Sequence, residues 1–522
     1  MIRIIWDLNN IFLHGFCPDR VYTSLLDMQV KPVQIVSQYF LLFSLLLFMS
    51  CKEKFPVSKP EFPALTFDNL DANGGAWKTV IINSSNNFLV DIPVNFDSEE
   101  YQQEVAQSKS IVNQRTYAQE VAINHWASGG VLRWNQIARE LVAKYNHPPK
   151  DDEKSDPSKP MTSPPFAARA YALLSVAQYD ALVATWFYKY KFRRLSPSHS
   201  GLKSSLPETN LPTYPSEDAV VAAVSYKILS KLFPAENDYL YNKALEHGNT
   251  RLWSGANLKS DIIAGGKLGE KIAMKTIEYA QNDNFENAKD QDQKWKEKAE
   301  KVSHAWKSQS NPESSPLLPS MGLVKTWFDK NNVLGNPQPP APPDLKSEKF
   351  KQDIDSVKAI GNTRTPEQKR IAEFWADGIG TFTPPGHWNK IAEELIRNQH
   401  FTELRTAKIL QQLNRAQEDA AIACWATKYK YFYPRPSQVD EDIKRSLDVP
   451  NFPSYTSGHS TFSAAAALVL GHYFPQDSTR LKKMANEAGM SRIYGGIHYF
   501  CDNEGGKMCG EKIGKLAVDW GK

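Results

Sequence analysis

Cysteine is scarce in this chain: five in 522 residues, at positions 17, 51, 424, 501 and 509, with no Cys-x-x-Cys among them. That spacing gives no support to a structural zinc or a dithiol redox centre. Excess charge of one sign is missing as well. The net charge is +4, from 62 basic and 58 acidic residues, and no basic stripe is interleaved with aromatics, so nucleic acid is not an expected partner. Long apolar runs are absent except for Phe40 to Met49, which is too short to span a bilayer as a mature helix. Mean hydropathy is low, at −0.48. Period-two alternation is confined to Thr79–Pro93, the one expected strand.

The apolar run fits the central region of a secretory signal, with the small residue Ser50 before a cleavage point. A cysteine directly after such a run resembles a bacterial lipoprotein signal, in which Cys51 becomes the lipidated first residue. Residues 1–51 are therefore expected to be a leader, with Met28 a more natural start than Met1. The expected location is that of an exported bacterial protein, periplasmic or on the outer membrane, touching lipid only through the anchor at Cys51. Export permits disulfides, and Cys501 and Cys509 are close enough in sequence to pair. Cys424 lies in an apolar helical stretch and reads as core.

The chain repeats itself with a period near 240–250 residues. Asn113-Gln114-Arg115-Thr116 and Trp126-Ala127-Ser128-Gly129 return as Asn362-Thr363-Arg364-Thr365 and Trp375-Ala376-Asp377-Gly378. Trp134-Asn135 returns as Trp388-Asn389, Lys189-Tyr190-Lys191 as Lys428-Tyr429-Lys430, Phe233-Pro234 as Phe474-Pro475, and Gly265-Gly266-Lys267 as Gly505-Gly506-Lys507. The order is kept throughout, so each half is one structural unit. Between the blocks, apolar residues recur at helical spacing, as at Ile409, Leu413, Ala416 and Ala420. The expected fold is all-α: two duplicated helical bundles related by a pseudo-twofold, with residues 65–281 forming the first and 345–522 the second. Residues 282–344 are polar and end in a proline cluster, as a linker would. Pro148–Pro165 reads as a loop within the first half.

Three segments of the second half carry chemistry. Lys428 is followed by Arg435, flanked by Pro434 and Pro436; then come Ser457-Gly458-His459; then Ser491-Arg492, His498 and Asp502. A tetrahedral oxyanion concentrates negative charge, and burying it requires fixed positive charge and many donors. Arg435 and Arg492 offer planar forks and Lys428 a point charge. The prolines take Arg435 out of helix. Ser457 is placed as an N-cap, so its hydroxyl and the Gly458 amide face the anion at a helix amino end. Asp502, four residues after His498, is expected on the same helical face, holding one ring nitrogen and leaving the other aimed inward. Gly495 and Gly496 are expected to thin the helix just before it. His459 can act on the anion as acid or base.

Together these segments resemble the superfamily of type 2 acid phosphatases and vanadium-dependent haloperoxidases. Pro453-Ser454-Tyr455-Thr456-Ser457-Gly458-His459 and Ser491-Arg492-Ile493-Tyr494-Gly495-Gly496-Ile497-His498 are similar to the haloperoxidase branch in particular. So is the duplication into two bundles. The resemblance implies vanadate as cofactor, with His498 as its axial ligand and Lys428, Arg435, Ser457, Gly458 and Arg492 on its oxygens. It implies His459 as the acid–base residue that helps hydrogen peroxide bind, and a halide as the group oxidised. The alternative implied by the same residues is an acid phosphatase without cofactor, in which His498 attacks the phosphorus of a phosphate ester and His459 protonates the leaving oxygen. A non-catalytic oxyanion-binding protein is the third reading. Trp375 to Trp388 also resembles the haloperoxidase branch and is expected at the entrance, with Asp377 or His387 near the site or simply packed there.

The first half holds a decayed copy. Ser216-Glu217-Asp218 stands where Ser457-Gly458-His459 stands, Arg251 and Asp261 align with Arg492 and Asp502, and Asn257 replaces His498. Two acids lie where an anion would bind, so the first half is expected to be structural.

Overall fold

A computed structural model describes residues 61–147, 160–309, 315–335 and 339–522, and all of these fall in one compact unit. The expected leader, with Cys51, lies outside the described residues, as does most of the Pro148–Pro165 loop. Among the described residues there are helices and no strand.

The first half opens with α1 (Glu99–Asn113), capped by the Ser98 hydroxyl accepting from the Tyr101 amide. Then comes α2 (Tyr117–Trp126), started by a Thr116/Gln119 capping box, and α3 (Gly130–Tyr145). Pro164 and Pro165 belong to the first turn of α4 (Pro164–Phe192) rather than to the loop expected there, because a missing N–H has no cost at a helix start. α5 (Glu217–Leu232), α6 (Asn237–Trp253) and α7 (Lys259–Gln281) complete the half.

Residues 282–344 hold two short helices, α8 (Lys294–Ala299) and α9 (Lys330–Leu334). This stretch packs onto the bundles. Trp306, Met321, Val324 and Phe328 are buried, and the amides of Trp327 and Phe328 donate to the Asp419 carboxylate at 2.8 and 3.0 Å. The expected strand is handled in the same way. The amides of Val80, Ile81 and Ile82 donate to the buried Asp180 carboxylate at 2.8, 2.7 and 3.0 Å. Thr79–Pro93 is therefore an arm pinned to a helix: one carboxylate satisfies the donors that a neighbouring strand would have taken.

The second half repeats the first. α10 (Glu348–Thr363) is capped by Ser347, α11 (Pro366–Phe374) by a Thr365/Gln368 box, and α12 (Thr383–Arg397) follows. α13 (Glu403–Tyr431) has the same 29 residues as α4, and both end on a left-handed residue, Phe432 at φ 45° and Arg193 at φ 52°. After the short α14 (Pro436–Val439) come α15 (Gly458–Tyr473), α16 (Ser478–Tyr494) and α17 (Phe500–Gly521). α5 and α15 have 16 residues each, and α6 and α16 have 17.

The halves meet through equivalent elements. α4 packs on α13, α3 reaches α13, and α12 reaches α4. That reciprocity is what a twofold relation produces. A buried polar ladder crosses the seam: Asn135 to Asn389 at 2.9 Å, Asn389 to Asn414 at 2.6 Å, and Asn414 to Ser175 at 2.9 Å. Around it α4 and α13 are buried on nearly every side, and each Leu, Ile or Val so buried contributes about 1.5–3 kcal/mol over exposure. No helix among the described residues is long and apolar enough to cross a membrane.

Candidate oxyanion site

The second half brings the three motif segments to one place. α13 delivers Lys428 in its last turn. The ammonium is fully buried and donates to the carbonyls of Pro453, Ser454 and Thr456 at 2.8, 2.8 and 2.6 Å. Burial pushes its pKa down to about 7. Arg435 has extended backbone between its prolines and is the N-cap of α14. Its guanidinium donates to the carbonyls of Phe452 and Ile497 at 2.9 Å, and one nitrogen lies 3.0 Å from His498 Nε2.

Ser457 is the N-cap of α15, with its hydroxyl accepting from the Ser460 amide. The start of α15 is held by α17, which needs glycine there. A Cβ at Gly506 would stand 2.6 Å from the Ser457 carbonyl. His459 follows in the first turn. Its ring is hydrogen-bonded to the Trp375 backbone, while Nε2 is buried with no partner. Burial, then Arg492 and His498, hold its pKa well below the ordinary value. Arg492 ends α16, donating to the Ser491 hydroxyl at 2.9 Å and the Ala372 carbonyl at 2.8 Å. Burial lowers it to about 10, against which the Asp377 carboxylate works.

His498 and Asp502 meet, at 2.7 Å from Nδ1 to the carboxylate. The geometry differs from the expected shared helical face. His498 lies in the turn between α16 and α17, where Gly496 has φ 74°, and Tyr499 is the N-cap of α17. Asp502 is the third residue of α17 and turns back to accept from the Tyr499 amide at 3.1 Å, so it reaches His498 as a capping residue. Gly495 and Gly496 thus end α16 instead of thinning a helix that carries His498. With Nδ1–H given to Asp502, Nε2 carries the lone pair. Burial keeps the ring neutral, well below its ordinary pKa.

Sequence reasoning missed three contributors. The Ser454 hydroxyl donates to the Asp502 carboxylate at 2.5 Å and lies 3.4 Å from His498 Nδ1. The Phe452 ring lies under both the Lys428 ammonium and the Arg435 guanidinium, at 5.0 and 5.1 Å. The Trp375 backbone holds His459. Ser454 and Trp375 lie inside the stretches that carried the resemblance and Phe452 directly precedes one, but nothing local marks their roles. At the mouth, His387 Nδ1 is 3.1 Å from each Asp377 oxygen, and its ring stacks on Trp375 at 4.6 Å. Cys424 is buried beneath the site, 3.5 Å from the Thr456 carbonyl, and Cys501 and Cys509 are free thiols.

The first-half copy keeps all three cations. Lys189 and Arg251 occupy the places of Lys428 and Arg492. Arg194, hidden from sequence comparison by a two-residue shorter turn, occupies that of Arg435. Here each is paired with a carboxylate: Lys189 with Glu217 at 2.7 Å, Arg251 with Asp218 at 3.0 Å, and Arg194 with Asp261 at 3.1 Å. Asn257 sits between the Arg251 guanidinium and Asp261, at 3.3 and 3.4 Å. In the second half, among the described residues, no carboxylate pairs with Lys428, Arg435 or Arg492.

The pattern of the PAP2 superfamily matches residues 420–521, which contain all eight second-half site residues. The chain is 25% identical over 429 residues to the vanadium chloroperoxidase of Curvularia inaequalis, covering 66% of this chain and 65% of that protein. It thus spans slightly under two thirds of the fungal protein's length. It is 27% identical over 178 residues to a non-specific acid phosphatase of Providencia stuartii, covering 32% of this chain and 68% of that one. In fold it is similar to the first bacterial vanadium-dependent iodoperoxidase (TM-score 0.57, 22% identity, 74% of this chain and 96% of that one). A bacterial vanadium-dependent chloroperoxidase in its apo form is also similar (TM-score 0.53, 15% identity, 73% and 97%).

Proposed function

We propose, for a chain whose residues 420–521 are a PAP2 superfamily domain on the helical fold of the vanadium haloperoxidases, that the second half binds vanadate and uses hydrogen peroxide to oxidise a halide. One observation carries this reading. Lys428, Arg435 and Arg492 are buried together with no carboxylate among the described residues within ion-pair distance, Asp502 and Asp377 acting on them only from further off, whereas the matching three cations in the first half are each paired. Buried positive charge of that density requires an anion from outside.

The residues present fit vanadate. The His459 Nε2 is buried without a partner, and Arg492 and His498 act on its ring, a set of groups that suits an oxyanion. His498 Nε2 would ligate the vanadium. Lys428, Arg435, Arg492, the Ser457 hydroxyl and the Gly458 amide would hold the oxygens. When bound, vanadate supplies the Lewis acid that makes hydrogen peroxide an oxidant of halide. The chain's own part is positional and protonic. Asp502 fixes the His498 tautomer, Ser454 fixes Asp502, and Arg435 and Lys428 fix charge. His459, kept neutral by burial, would hold and move a proton at Nε2 as the acid–base residue of the site.

A second reading, acid phosphatase, is favoured by the likeness to the Providencia stuartii enzyme. It needs no cofactor. His498 Nε2 bonds to phosphorus as the ester P–O bond breaks, His459 protonates the leaving oxygen, and water then cleaves the P–N bond. Metal-stripped protein, assayed for bromide and iodide oxidation with and without orthovanadate and for phosphomonoester hydrolysis, separates the two. Peroxidase activity that appears with vanadate and is blocked by phosphate establishes the first reading. Ester hydrolysis inhibited by vanadate, without halide oxidation, replaces it with the second. The proposal extends to a lipid anchor at Cys51, which metabolic palmitate labelling checks.

A further inference from the structure

Among the described residues, the first half reaches a loop that borders the second-half site. The loop from Trp375 to Phe382, between α11 and α12, carries two groups that bear on the oxyanion residues. Its Trp375 backbone is hydrogen-bonded to His459, and its Asp377 carboxylate faces Arg492 and His387. Within the loop, the Thr381 amide and hydroxyl donate to the Gly378 carbonyl at 3.2 and 2.7 Å, and its backbone takes unusual angles. Asp377 sits in the left-handed region at φ 44°, Gly380 is at φ 79° and Thr383 at φ 65°. Beyond Asp377 it stands open: Ile379 is largely exposed, and a Cβ at Gly378 or Gly380 would meet nothing. Strained backbone of this kind persists only when its surroundings fix it.

The first half does the fixing. Asn146, which ends α3, donates from its side-chain amide to the carbonyls of Gly378 and Thr381 at 2.8 and 3.0 Å. Its own carbonyl accepts from the Gly380 amide at 2.6 Å. The Tyr171 hydroxyl, on α4, donates to the Phe382 carbonyl at 3.1 Å. The duplication supplies an internal control. Asn398 ends α12, the equivalent helix, and its amide turns back onto its own helix at the Glu394 carbonyl, 3.1 Å away.

We propose that Asn146 and Tyr171 are positioning residues: the first half, having lost its own oxyanion site, holds the loop that orients Arg492 and His459 in the second. The proposal rests on the reading of that site given above, and explains what the decayed copy contributes to it. Asn146→Asp keeps the shape and removes both side-chain donors, while Asn146→Ala removes the group.

Both variants and Tyr171→Phe are compared with wild type, with Asn398→Ala as control, on the full chain. Three quantities are read: hydrogen exchange of the amides of residues 376–382, affinity for inorganic phosphate, and the split of turnover into kcat and KM. Loss of two hydrogen bonds at about a factor of five each gives exchange about ten-fold or more faster in both Asn146 variants. Phosphate binding weakens several-fold, and kcat falls more than KM changes. Tyr171→Phe shows the same pattern at about half the logarithmic size, and Asn398→Ala leaves all three unchanged. Unchanged exchange in both Asn146 variants overturns the proposal. So does faster exchange with phosphate affinity as in wild type. Should the wild type show neither peroxidase nor phosphatase activity, the functional reading falls, while exchange and phosphate affinity still decide this one.

Discussion

The two halves share helix lengths, caps and three cations, yet among the described residues only in the first does a carboxylate lie within ion-pair distance of each cation. In the first half, Glu217 and Asp218 occupy the first turn of α5 and neutralise Lys189 and Arg251 from within. In the second, Gly458 and His459 occupy the first turn of α15, and the cations turn to carbonyls, a serine and a histidine ring. Two adjacent residues therefore decide whether two of the three buried cations are paired from within. A carboxylate on the chain satisfies the charge permanently, while glycine and histidine leave it for a ligand.

The largest expected contrast is at the imidazole. His498→Ala should abolish oxyanion-dependent turnover, by about a thousand-fold or more. Asn257→Ala, its match in the first half, should leave turnover within about two-fold. Vanadate binding to the His498→Ala protein at wild-type affinity would show that this assignment is wrong.

The arginines should separate function from stability. Arg492→Ala should weaken phosphate or vanadate binding by about a hundred-fold, since a buried donor to an oxyanion is lost, with a small change in melting temperature. Arg251→Ala should do the reverse. It leaves the buried Asp218 with His247 alone and costs about 3 kcal/mol of stability, while oxyanion affinity holds. Isothermal titration and thermal melts read both, and an equal stability loss in the two variants would erase the contrast.

A smaller effect concerns pH. Lys428 is held at about 7 by burial, so its ammonium is present below that pH and lost above it. Oxyanion affinity should therefore fall by up to ten-fold per pH unit as pH rises above about 7. Lys428→Arg should flatten that slope, because guanidinium keeps its proton. The same slope in both proteins would assign the dependence to another group. The smallest effect sharpens the comparison from the other side. Glu217→Gly with Asp218→His should open a second, weak phosphate equivalent beside Lys189 and Arg251, visible as a stoichiometry above one.

Much of this was legible in the sequence because the signals are local or repeated. The N-cap Ser457 needs one hydroxyl before a helical pattern, and the duplication needs only that blocks return in order. The eight site residues were legible because an oxyanion demands residue types that seldom cluster by accident. The failures have a common cause. Thr79–Pro93 alternates like a strand, and only a carboxylate a hundred residues away, Asp180, keeps it out of a sheet. Arg194 was hidden by a two-residue difference in turn length. Asp502 reaches His498 at the predicted spacing, but through a helix cap, a distinction that spacing does not carry.

The sequence by itself determined the helical periods, the repeat and the identity of the charged groups, since each depends on residues near one another along the chain or on their kind. Tertiary structure decided which charges are paired and which are left for a ligand, and which half holds the loop over the other's site. Pairing energies in a buried setting depend on ångströms between α4, α5 and α6 in one bundle and α13, α15 and α16 in the other, and on the reach of Asn146 across the seam. Those distances exist only once the helices have packed.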